Sequence, residues 1–391
     1  MEIIPKIEQV AKNVTFVHLP LMFSYKLFSL YFPLYLLEKH FTLPQVGYAT
    51  FFIYLPIALF APVAGFLSHR INPAILASLG VLGYGAYSLG MIFFPNMFVF
   101  YLLQIMLGVS AALFFVSSRA ILMGSKLKNP DKAFAFFYAV PTYGDAIAPA
   151  VGAILIYKLG FVGTFGISVV FQIATAVFCY FSLRKHAENL TENIGIRKAE
   201  HNYVEVLKKI NTKGTLPLIF TSFLVLIVAG FTNTFFVLFL KSLGWSQNSI
   251  LIFNSISSLV FLPVSWLIVK LIKKNSVDNV SYGSQISGIF SILFGVFSNF
   301  LNFYIVFVIM LGKNIGGLIN GSGRSGLLTT RLKEYPEESA AVDTIFSPLS
   351  TAFGALIGGL LIGPLGYPLI FIISGIMVFA GGLFAKKSNI S

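Results

Sequence analysis

The chain has 391 residues, 57% of them hydrophobic and only 10% charged, with a mean hydropathy of +0.85; soluble globular proteins carry roughly 25% charged residues, so a polytopic membrane protein is indicated and an ordinary water-facing surface is excluded. The formal charge of +13, from 27 Lys+Arg and 14 Asp+Glu, reads as loop charge that sets membrane orientation, not as a surface for nucleic acid. The single cysteine, Cys179, forms no internal disulfide, which excludes a secreted disulfide scaffold.

In chain order, apolar runs of about 20 residues predict twelve transmembrane helices at 14–37, 46–68, 74–94, 98–123, 133–157, 161–183, 216–240, 247–272, 280–300, 302–324, 343–363 and 366–385. The first run is too long for a signal-peptide core and has no small-residue cleavage site, so it reads as a retained helix. Unbroken runs of this length exclude the alternating strands of a membrane barrel. Basic residues concentrate in alternate loops, as at Arg70, Lys126, Lys128, Lys132, Arg184, Lys185, Lys208 and Lys209, whereas the opposite loops hold Lys39, Lys158 and Lys241. This bias predicts a multi-pass protein of the plasma (cytoplasmic) membrane with both termini in the cytoplasm. The polar segment 185–215 separates an N-terminal six-helix bundle, 1–184, from a C-terminal one, 216–391. Within the segment Tyr203, Val206, Leu207 and Ile210 fall at helical spacing, which fits a short helix on the inner leaflet or a solvated linker.

The two halves repeat. "FYLLQIMLG" from Phe100 returns as "FYIVFVIMLG" from Phe303, each followed by an arginine in the same span, Arg119 and Arg324. "LKNP" from Leu127 matches "LKEYP" from Leu332, Pro141 matches Pro348 at the head of a Gly/Ala-rich helix, and "FAPV" from Phe60 matches "FLPV" from Phe261. An ordered repeat at an interval of about 200 residues means one six-helix unit used twice in parallel, with a binding site between the halves near midplane. The expected fold is therefore an all-α membrane protein with twelve transmembrane helices in two pseudo-symmetric six-helix bundles.

This organisation resembles the major facilitator superfamily over essentially the whole chain. "GFLSHRINP" after the second span is similar to the family's loop Gly-x-Leu-x-Asp-Arg-x-Gly-Arg; Gly65, Leu67 and Arg70 match, while His69 replaces the Asp and Pro73 replaces a basic residue. "GDAIAPAVGA" in span five is similar to the antiporter signature Gly-x-x-x-Gly-Pro-x-x-Gly-Gly at Gly144, Pro149 and Gly152. Small residues there let helices approach closely, and Pro149 kinks the helix. Of the Arg-x-x-Gln-Gly of many drug exporters Gly108 matches, while Gln104 stands at the Arg position. The resemblance is to the drug/proton antiporter-like branch, and it implies gating roles for Arg70, Arg119, Arg324, Gly144, Pro149 and Gly152.

Lys26 and Asp145 each lie about 18 Å into an outward-rising span, at roughly 1.5 Å per residue. Because the first and fifth helices of a bundle are neighbours in this superfamily, the resemblance implies that they pair, with Asp145, read as the only carboxylate deep in a span, as the coupling group. A purely structural pair is the alternative. Lys313 lies about 16 Å into span ten; it reads either as facing a water-filled cavity and an anionic substrate, or as bonded to carbonyls or to Asn side chains such as Asn314. Gln104, Tyr143, Asn233 and Asn254 fall on helices that line the cavity in this superfamily and are candidate ligand-binding residues or packing hydrogen bonds. Arg119 and Arg324 lie near the cytoplasmic face, in a gate or snorkelling to the interface.

No cofactor, catalytic or metal motif is apparent, so an enzyme is not expected. The expected function is secondary active transport of a small-molecule substrate by alternating access, coupled to protons, by a monomer in a lipid bilayer. Export of amphipathic or drug-like compounds, movement of a small organic anion, and a non-transporting sensor on the same scaffold are the readings that remain.

Overall fold

The computed structural model describes residues 7–29, 31–41, 43–94, 96–188, 195–212 and 214–387. The described chain is helical throughout: α1 (Gln9–Ser29), α2 (Phe32–Glu38), α3 (Leu43–Arg70), α4 (Pro73–Phe93), α5 (Met97–Gly124), α6 (Pro130–Ala187), α7 (Ile196–Ile210), α8 (Leu216–Ser242), α9 (Gln247–Leu271), α10 (Ser276–Val296), α11 (Phe303–Arg331) and α12 (Pro336–Lys387).

Helix starts are written locally. Asn72, Asn96, Asn129, Ser246, Asn275 and Asn302 each accept a hydrogen bond from a backbone N–H of the first turn. Such caps satisfy donors that have no helical partner. Pro73 and Pro130 occupy first helical positions, where the missing N–H costs nothing. The caps recur in the second half, Asn72 with Asn275 and Asn96 with Asn302, as the repeat requires.

α6 and α12 are each two membrane-length arms. Gly160, at φ 68°, and Gly366, at φ 71°, adopt a backbone that an L side chain resists. The arms of α6 run in opposite directions along α1 and α2. On the first arm Phe137 stacks on His18, Gly144 faces Met22 and Gly152 faces Leu27. On the second, Phe161 meets Tyr35, Ser168 donates to the Ser24 carbonyl and the Ser182 carbonyl accepts from Asn13. α12 repeats this along α8: Phe346 and Gly358 advance from Phe223 to Phe231, and Tyr367 and Gly381 return from Phe239 to Thr221.

By length and composition, 8 segments of the described helices can cross a membrane. With α1–α2, α10 and the first arms of α6 and α12 they make twelve spans, six in each bundle. Three of those four carry polar residues: Lys26 of α1 lines a cavity, and the serines of α10 and Asp343 of α12 are buried in protein. The buried α10 serines Ser284 and Ser291 donate to the Val280 and Ser287 carbonyls one turn back, which satisfies them without lipid contact.

Two details differ from the sequence reading. The first span is two helices, α1 and α2. The eleventh begins at Pro336, seven residues before the expected boundary at 343, because Pro336 suits a first helical position and the charges of Glu337 and Glu338 complement a helix N-terminus.

Between the bundles runs α7. Its apolar face is inward: Val206 and Ile210 are buried with the core, and the Tyr203 hydroxyl donates to the Pro62 carbonyl at 2.8 Å. The linker helix therefore packs on the protein and marks one face of the molecule, the linker face.

Candidate functional site

A cavity of about 400 Å³ opens between the bundles. α1 supplies Tyr25 and Lys26 to its wall, α3 supplies Tyr54, α4 supplies Tyr84, α5 supplies Phe115 and Arg119, and α12 supplies Thr344 and Ser347. Among the described residues its lining holds two cationic side chains, Lys26 and Arg119, and no carboxylate.

The floor of the cavity, toward the linker face, is an ionic cluster. Asp343 of α12 is fully buried. Its Oδ1 accepts from Arg324 Nε at 2.7 Å, and its Oδ2 accepts from the Ser325 hydroxyl at 2.7 Å and the Tyr138 hydroxyl at 2.9 Å. Arg119 Nε lies 3.3 Å from Oδ2, and its Nη1 donates to Thr344 Oγ1 at 2.6 Å. The Arg119 guanidinium also sits over the Phe115 and Tyr138 rings. One carboxylate thus joins an arginine of each bundle, and two guanidinium charges face one carboxylate charge. Burial of these ions is costly, and the full set of partners around Asp343 offsets that cost. Arg324 Nη1 is buried with no hydrogen-bond partner among the described residues.

Two latches flank the cluster, related by the internal repeat. His69, at the end of α3, pairs with Glu338 at the start of α12, Nε2 to Oε1 at 2.8 Å. Asp131, at the start of α6, accepts from the Ser276 hydroxyl at the start of α10 at 3.2 Å. In each, the first turn of a bundle's fifth span docks on the loop after the second span of the other bundle. Asp131 precedes the apolar run of α6; burial, opposed in part by the nearby Asn279 side chain and the hydrogen bond from Ser276, pushes its carboxyl up to about 6. Lys209 of α7 adds an exposed ion pair to Glu334 at 2.6 Å. The bundles are closed against each other on the linker face.

The structure places the sequence-predicted residues as follows. Gly144 and Gly152 face Met22 and Leu27, so α6 passes beside the stretch of α1 that carries Lys26; a Cβ on Gly152 would overlap the Leu27 carbonyl. The backbone of Asp145 belongs to that segment of α6, while its side chain and that of Tyr143 lie outside the described residues. The Pro149 carbonyl accepts from the Tyr31 hydroxyl at 3.0 Å. Arg119 and Arg324 meet at Asp343, so neither snorkels. Arg70 is exposed, its guanidinium over the Phe66 ring.

Gln104 is buried inside the N-terminal bundle, accepting from Tyr87 at 3.4 Å. Lys313 is buried inside the C-terminal bundle, where it donates to Thr232 at 2.7 Å and lies over the Phe294 and Phe371 rings. Its partner is thus a hydroxyl of α8, not Asn314. Asn233 is exposed and Asn254 half-buried. None of these four lines the cavity.

Asp343 is a buried carboxylate that the sequence reading did not single out. Sequence reasoning put Asp343 at the inner edge of the eleventh span; the Pro-Glu-Glu start at 336–338 was the signal that the helix, and Asp343 with it, continues past that edge.

The family profile described as Major Facilitator Superfamily matches residues 14–342. The chain belongs to the major facilitator superfamily. As a member it is a multi-pass membrane protein and a secondary transporter of small-molecule substrates, not an enzyme. Solved structures share its fold. The human organic anion transporter MFSD10 (TETRAN) aligns with a TM-score of 0.77 at 13% identity, over 96% of this chain and 99% of that one. A bacterial homologue of the iron transporter ferroportin in an outward-facing state aligns with a TM-score of 0.69 at 16% identity, over 97% and 98%. The proton:xylose symporter XylE bound to 6-bromo-6-deoxy-D-glucose aligns with a TM-score of 0.72 at 14% identity, over 97% and 95%. Comparison with curated proteins returns no match.

Proposed function

We propose that this transporter moves an amphipathic organic anion by alternating access, and that the state described is closed to the cytoplasm. One observation carries the reading: a cavity walled by Tyr25, Tyr54, Tyr84 and Phe115 whose described charged residues, Lys26 and Arg119, are both cationic. Aromatic rings hold an apolar body, while a guanidinium above a floor with more guanidinium than carboxylate charge holds a carboxylate or sulfonate head. The linker face is the cytoplasmic one, in keeping with its basic loops. Arg119, Arg324 and Asp343 form the inner gate between the flanking latches.

Asp145 is the proposed proton carrier. It is carried on the α6 segment that packs against α1 near Lys26, where substrate and proton can compete for one cation. The small-residue segment from Gly144 to Gly152 fits an exporter.

The test uses purified protein in proteoliposomes. Aromatic carboxylates should raise its melting temperature, because a ligand bound only by the folded state stabilises it, and should be transported with a pH gradient. Arg119→Gln should weaken their binding at least tenfold. Stabilisation by lipophilic cations with no response to carboxylates would overturn the anion reading. Binding without flux would favour a sensor.

A further inference from the structure

One latch holds a donor set that an ion pair does not exhaust. His69 ends α3 and Glu337 and Glu338 open α12; all three are buried. One ring nitrogen of His69 and one oxygen from each carboxylate lie within 4.8 Å of one another. Nε2 is 2.8 Å from Glu338 Oε1, and Nδ1 is 3.9 Å from Glu337 Oε2. Glu338 Oε2 is buried with no hydrogen-bond partner among the described residues, an arrangement that costs free energy unless something fills it. Asn202 of α7 donates to Glu338 Oε1 at 2.9 Å, as an outer partner does when it fixes a ligating carboxylate. No sequence motif announces the set, because its members come from opposite halves of the chain.

We infer that His69, Glu337 and Glu338 form a binding site for a divalent transition-metal cation of the zinc or manganese class. An imidazole with two carboxylates suits such ions, whereas magnesium and calcium favour sites built of oxygen alone. Bonds of about 2.1 Å to a tetrahedral ion separate its donors by about 3.4 Å. The three donors therefore reach the ion by side-chain shifts of about an ångström, with a fourth position left for water.

The N-terminal bundle supplies the imidazole and the C-terminal bundle supplies both carboxylates. The site is complete only while the linker face is closed, so the cation binds one state of the cycle and holds it. At a free concentration of 100 times its dissociation constant it favours that state by about a hundredfold. Metal binding itself does not depend on the substrate reading; the holding of one state of the cycle rests on alternating access.

The experiment uses tag-free, full-length protein stripped with chelator, with no transport substrate present. Zn²⁺ is titrated against a chromophoric chelator, and Co²⁺ is followed by its visible absorption. The expected result is one equivalent bound, a rise in melting temperature with Zn²⁺ but not with equal Mg²⁺ or Ca²⁺, and at least tenfold weaker binding in His69→Ala and Glu338→Gln. Should those variants fail to fold, X-ray absorption of the Zn²⁺-loaded native protein reads the same point through the scattering of one imidazole ring. Absence of a saturable equivalent, undiminished binding in both variants, or a zinc shell without imidazole would each overturn the site. An anion transporter that binds no metal would leave the proposed function intact and remove this inference alone.

Discussion

Arg324 Nε lies 2.7 Å from Asp343 Oδ1. The pair joins α11 to α12 within the C-terminal bundle, and the other oxygen of the same carboxylate faces Arg119 of the N-terminal bundle at 3.3 Å. Asp343 thus belongs to its own bundle through Arg324 at 2.7 Å and to the opposite bundle through Tyr138 at 2.9 Å and Arg119 at 3.3 Å. In the proposed gate, the contacts from Tyr138 and Arg119 are the ones that part when the bundles separate.

The two arginines should accordingly differ when removed. Arg324→Gln leaves Asp343 buried without its strongest partner and should lower stability by about 3–5 kcal/mol. Arg119→Gln should cost less stability but lose anion affinity, since Arg119 lines the cavity. Thermal unfolding beside ligand titration checks the pair; a larger loss of stability in Arg119→Gln with unchanged affinity would reverse the assignment.

Gly152 should tolerate no side chain. A Cβ there would overlap the Leu27 carbonyl, whereas a Cβ on Gly166 meets nothing within 4 Å. Gly152→Ala should destabilise the protein by about 1–3 kcal/mol, the usual range for overpacking, and Gly166→Ala should be close to neutral. Melting temperatures of the two variants test the close approach of α6 to α1.

Acid on the linker face should favour closure through Asp131. When the latch is docked its carboxyl is raised from 3.8 to about 6 by burial. The groups facing it are Ser276, Asn279 and Lys274, with Gly326 packed against its carboxyl. In the parted state water returns the carboxyl to its ordinary range. Below that range both states are protonated and pH has no effect. As pH rises toward 6 only the parted state has released its proton, so closure weakens; above 6 both are charged and the dependence ends. The gap bounds the effect at roughly a hundredfold. Asp131→Asn should hold the closed preference at every pH, and a full pH response in that variant would contradict the mechanism.

Much of this architecture is legible in the amino-acid sequence, for definite reasons. Lipid imposes long apolar runs, so the spans and the repeat can be read directly. The polar start of α12 could not be found by hydropathy, because Glu337, Glu338 and Asp343 are charged residues that are buried against protein and leave no apolar run to read. The surroundings of Lys313 were hidden for another reason: Thr232, Phe294 and Phe371 come from three different helices, and no spacing along the chain brings them together. His69 showed only as a departure from a family loop; its partners stand 269 residues away and nearby, visible only once the bundles are docked.

The central claim is that Asp343 holds the linker face shut. Spin labels at Ile71→Cys and Lys333→Cys, in a Cys179→Ser background, report the separation of the bundles across that face by pulsed electron resonance. The account predicts one short distance in the otherwise native protein and a dominant longer one in Asp343→Asn. The same short distance in both proteins would contradict it.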